Sequence, residues 1–167
     1  LDLVPALNFS IITKSRITIE MVNSIRYLFD RDLNKLKDEL NQFHDEKQIW
    51  VSPSGIKNSP GNLALHICGN LNHFIGSVLG NTGYKRDRER EFLLKNIPKK
   101  ELLLNIKGTK QTLLNVFENF NEDKLGDKYP INVFDKEMSI EYFLIHLHSH
   151  LNYHLGQINT LRRIIMD

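Results

Sequence analysis

Residues 143–158 read FLIHLHSHLNYHLGQI, and four of the chain's seven histidines fall inside that string, at positions 146, 148, 150 and 154. The string belongs to the last long helix that the sequence predicts. His150 and His154 are spaced i,i+4, so a helix places them one turn apart on one face. His146 extends the same stripe with a drift of ~40° per four-residue step. His146 and His154 are ~12 Å apart along the axis, too far to share an ion. One helix therefore supplies a pair of imidazoles, either His146 with His150 or His150 with His154. His148 lies ~160° from His150 and points elsewhere.

Working outward, Ser139 reads as the N-cap of this helix, and Glu141 in its first turn suits the helix dipole. Arg162 and Arg163 close it with the favourable sign. Residues 121–138 break the helical period, and YPINVFDKEMS at 129–139 predicts a small hairpin or an extended loop. A third long helix opens at Pro98, with Leu103, Ile106, Leu113, Phe117 and Phe120 on one face. A charged link, YKRDREREF at 84–92, is short enough for one brief helix.

Ser59-Pro60 predicts the start of the second helix, serine as cap and proline in the first turn. The following GNLALHICGNLNHFIGSVLG, 61–80, is apolar almost all round, as a buried helix must be. Gly80 and Gly83 close it. The first helix carries Val22, Ile25, Phe29, Leu33, Leu36, Leu40 and Phe43 at steps of three and four, about seven turns. It ends before the loop VSPSGIKNS at 51–59. Four long helices with one irregular crossover predict an all-α protein, a four-helix bundle.

A third imidazole has to come from another helix. His66 is the first candidate, because it sits between Leu65 and Ile67 in the apolar second helix, where an unpaired ring is costly. His73, one heptad on, is the reserve, and His44 at the polar end of helix one ranks last. The alternative is a purely structural bundle whose core histidines are hydrogen-bonded rather than metal-bound.

Composition narrows the function classes. The chain has 167 residues, 41% hydrophobic and 25% charged, with a net charge of +2. That is one globular, soluble domain with no electrostatic case for nucleic acid or an anionic membrane. No apolar stretch approaches the ~20 residues of a membrane span. The single Cys68 excludes an internal disulfide and fits a cytoplasmic location. Met21 opens the first strongly periodic segment, so residues 1–20 read as an N-terminal extension foreign to the native start, and 21–167 as the domain.

HLNYHLGQI resembles the last-helix signature of the DinB superfamily, His-x-x-x-His followed by one residue, Gly and Gln. NLALHICGNLNHFIG resembles that superfamily's second-helix segment. SPSGIKNSPGNLALHICGNLNHFIG, LGNTGY and FLIHLHSHLNYHLGQI resemble an uncharacterised bacterial branch of it. The resemblance covers most of 21–167 and implies a DinB-like bundle. It places His66, His150 and His154 on a metal and leaves His146, His148 and His73 outside the ligand set. It implies a divalent cofactor: zinc or nickel first, with iron, cobalt or manganese as further options. Characterised relatives include thiol-dependent transferases, so it also implies a metal-dependent thiol S-transferase acting on a low-molecular-weight thiol such as bacillithiol and a small electrophile. The alternative is a non-catalytic metal-binding or stress-response homodimer.

Three neutral imidazoles with no carboxylate leave open positions on the ion, as catalytic sites do. Asn70, one turn from His66, and Gln157, three residues from His154, are candidate partners for the imidazoles' outer nitrogens. Trp50 and Tyr153 are candidates to line a substrate cavity; core packing is their ordinary use. Cys68 projects away from His66 and reads as a small buried hydrophobe.

Overall fold

A computed structural model describes the backbone of residues 7–167 and the side chains from Thr18 onward. Its helices are α1 (Leu7–Asn41), α2 (Pro60–Leu71), α3 (Arg88–Leu93), α4 (Lys99–Glu118) and α5 (Ile140–Met166). No strand occurs among the described residues, and the all-α expectation holds. α1 packs on α4 and α5, and α2 packs on the same two. The four long helices thus form a ring in the order α1–α4–α2–α5, with α1 and α2 diagonal. The α2–α5 seam and the α1–α4 seam lie on opposite sides of the bundle.

The cause is the apolar periodicity. Phe29, Leu33, Leu36 and Leu40 of α1 are buried, as are Leu63, Ile67 and Leu71 of α2. Leu102, Ile106 and Leu113 of α4 and Leu144, Leu147, Leu151 and Ile158 of α5 complete the core. α1 is continuous through Met21. Residues 1–6 of the expected extension lie outside the described residues.

The Ser59 hydroxyl accepts from the Asn62 N–H at 3.2 Å, and Pro60 opens α2. Ser139 accepts from Tyr142 N–H at 3.1 Å and opens α5. α2 does not continue as one α-helix to Gly80. Residues Asn72–Ser77 form a π-helical turn, with Gly80 N–H donating to Ile75 C=O. The close packing of α4 leaves no room for a larger residue at position 80, since a Cβ there would lie 2.2 Å from Val116 Cγ2. Of the two forms expected for 129–139, the loop is the one observed. A single antiparallel bridge, Lys128 to Ser139, is all the pairing it makes among the described residues. A 3-10 turn at Glu122–Gly126 precedes it, and Tyr129 is buried with its hydroxyl donating to Phe74 C=O.

Candidate metal centre

The α2–α5 seam brings His66, His150 and His154 together. Their ring nitrogens lie within 4.8 Å of one another, and the three are placed to hold a metal ion. His66 Nε2 is 3.3 Å from His150 Nε2, and His154 Nε2 is 3.1 Å from it. Two nitrogens each ~2.1 Å from one ion stand ~3.0–3.4 Å apart at ordinary ligand angles. His66 is buried, and His150 and His154 are half-buried, so the cluster is reached from one side.

The outer nitrogens decide which atoms face the cluster. His66 Nδ1 is 2.8 Å from Glu91 Oε2. A carboxylate only accepts, so His66 carries its proton on Nδ1 and presents a bare Nε2. Arg86 holds that carboxylate from the far side, Nε to Oε1 at 2.7 Å and Nη2 to Oε2 at 2.8 Å. Arg86 Nη2 also lies 3.2 Å from His66 Nδ1; these are two donors sharing one oxygen, not bonding each other. Burial alone raises the Glu91 pKa, but the Arg86 and His66 bonds outweigh it and hold the group below its ordinary value.

His154 Nδ1 donates to Gln157 Oε1 at 2.7 Å, and the Gln157 amide donates to the Tyr153 hydroxyl at 3.3 Å. His154 therefore also turns a bare Nε2 inward. His150 stands between two lone pairs and, as a neutral ring, has one proton to give. Carried on Nε2, that proton can be aimed at only one of the two facing lone pairs; carried on Nδ1, it leaves three lone pairs facing one another, which a bound cation relieves. Burial, and after it the His154, His66 and His146 rings and Arg86, lowers the His150 pKa to about 3. Burial also lowers His154, with His66 adding to it and the Gln157 bond opposing. The pair stays neutral and ready to ligate.

The remaining residues singled out from sequence go elsewhere. Asn70 is buried, but its Oδ1 has no hydrogen-bond partner and the place beside His66 Nδ1 belongs to Glu91. His73 packs edge-on against Phe74, with its Nδ1 buried and unpartnered. His146 stacks on Phe143 and meets Phe134 edge-on, its ring centroid 6.5 Å from that of His150. His148 turns to α1, its Nε2 2.9 Å from Asp32 Oδ2. His44 is exposed. Trp50 is a core residue whose indole N–H donates to Ile97 C=O at 3.2 Å. Tyr153 is exposed and borders a cleft of about 630 Å³ with Gln157, Ile56, Leu63 and Ile164. Cys68 is fully buried, and burial pushes its thiol up to about 12.

Sequence reading missed Glu91 and Arg86. Both lie in the charged link, where acidic and basic residues alternate and none stands out. The available signal was Gly69: a Cβ there would lie 2.1 Å from Glu91 Oε1. The glycine is the notch through which α3 delivers its carboxylate to α2.

No curated protein matches the chain. The family model described as Protein of unknown function (DUF1572) matches residues 16–167, and the chain belongs to that family.

Proposed function

We propose that this protein is a metal-dependent enzyme of the DinB type, carrying a divalent ion on His66, His150 and His154 and transferring a low-molecular-weight thiol to a small electrophile. The observation that carries the reading is the pair of bare Nε2 atoms turned onto His150 from both sides. It is joined by the two motifs on α2 and α5 whose order and spacing resemble that superfamily. When bound, the ion supplies Lewis-acid activation of a thiol or a water on its open face.

The chain's own groups have positioning roles. Glu91, clamped by Arg86, fixes the His66 tautomer, and Gln157 fixes that of His154. The cleft beside Gln157 and Tyr153 is where we place the electrophile, since it is largely apolar and borders the turn that carries His154. Among the described residues, no helix is long and apolar enough to cross a membrane.

The test is a conjugation assay. Protein purified without an affinity tag and loaded with zinc or nickel is incubated with a panel of bacterial thiols and electrophiles, and thiol loss is followed. Turnover that disappears in His66→Ala supports the transferase. Stoichiometric metal with no turnover across the panel would instead favour the non-catalytic metal-binding alternative.

A further inference from the structure

The α1–α4 seam, across the bundle from the histidines, carries an open groove of about 560 Å³. Leu33, Leu103, Leu104 and Ile106 line it, and Leu104 is 56% exposed. Five lysines also line it, Lys37 from α1 and Lys99, Lys100, Lys107 and Lys110 from α4. Of the eleven lining residues none is acidic. The whole chain is close to charge balance, at +2, so this is a local concentration of positive charge around an apolar floor.

The cations are only partly neutralised. Lys110 is paired with Asp30 at 2.7 Å, and Lys37 lies 3.7 Å from the exposed Asp38. The Lys99 ammonium rests on the Phe43 carbonyl at 2.9 Å, and Glu46 accepts only the Lys99 backbone N–H. Lys100 and Lys107 have no ion pair among the described residues. Lysine stems are apolar and their heads seek water, so such a rim extends the apolar wall and sets ammonium groups at its edge.

We propose that this groove binds a small anionic amphiphile, of which a medium-chain carboxylate is the simplest form, with its chain on the leucines and its anion among the rim lysines. Charge complementarity selects the anion, and the leucine floor selects the chain. The volume suits a small molecule. The groove's volume lies within the roughly 300–1,000 Å³ of small-ligand clefts. The site is independent of the histidine cluster and of the function proposed for it.

Decanoate below its micelle concentration is titrated into isotope-labelled protein and followed by amide chemical shifts, with acetate and the neutral decyl glucoside as controls. Saturable shifts confined to residues 33–37 and 99–111 are expected for decanoate alone. The affinity should be unchanged by nickel bound at the histidines. It should fall at least about tenfold in Lys100→Glu/Lys107→Glu and in Leu104→Gln, and weaken as salt rises from about 50 mM to about 500 mM. Shifts at the histidines instead, equal binding of decyl glucoside, or unchanged affinity in the double variant would overturn the proposal. So would an acidic amphipathic peptide that binds the groove while decanoate fails to displace it.

Discussion

Glu91 Oε2 stands 2.8 Å from His66 Nδ1, so a residue on the short α3 dictates which nitrogen a residue on α2 offers to α5. Replacing Glu91 with Gln keeps the shape but removes the charge that prefers an Nδ1–H. Metal affinity should drop by roughly 10–100-fold, as for other outer partners of ligating histidines. Competition against a chromophoric chelator measures it. Arg86 loses its bidentate partner in the same variant, so a lower urea midpoint is expected as well.

Gly69→Ala should mimic that change without replacing a ligand or its partner. The new Cβ would meet Glu91 Oε1 at 2.1 Å and Cδ at 2.8 Å, so the carboxylate must move off His66. Overpacking of this kind costs about 1–3 kcal/mol. Chelator competition should again show weakened metal binding. Full affinity in a folded Gly69→Ala protein would mean that Glu91 does not orient His66.

His66→Ala and His148→Ala should separate the two histidine environments. His66→Ala should abolish stoichiometric metal, read by elemental analysis. His148→Ala should keep it and lose stability instead. Asp32 is 0% exposed and is held by Arg31, Lys35, His148 and Asn152. Removing one partner of so deeply buried a carboxylate costs about 1–3 kcal/mol. Chemical denaturation at neutral pH is the measurement.

The metal-free protein should lose stability on acidification. His150 is held down to about 3, by burial first and the neighbouring rings second. In the unfolded chain a histidine titrates at about 6.5. Between those values the unfolded state binds a proton that the folded state refuses, so stability rises with pH across that window. Above it both states are neutral and the contribution is flat. Urea midpoints should therefore fall from about pH 6.5 downward. In His150→Gln the fall should be shallower.

Much of the bundle was legible from local signals. Ser59-Pro60 and Ser139 announced two helix starts because capping depends on residues within one turn. The buried faces of α1, α4 and α5 followed from steps of three and four. The π turn at Asn72–Ser77 was not legible, since a segment apolar almost all round has no stripe whose one-residue shift would mark the wider turn. For 129–139 the sequence left hairpin and loop open; the buried Tyr129 anchors the loop to Phe74 by a contact 55 residues away in sequence.

The site divides in the same way. The i,i+4 spacing of His150 and His154, a property of one helix, marked half of the cluster from sequence alone. His66 was a candidate because an imidazole in an apolar helix demands a partner. Only the tertiary structure decided that its inner neighbour is His150 and its outer one Glu91, that His146 is spent on aromatic packing, and that His148 serves Asp32. Sequence spacing reports which side chains share a face. Which faces meet, and so which nitrogen of each ring is left bare, is set by packing between segments far apart in the chain.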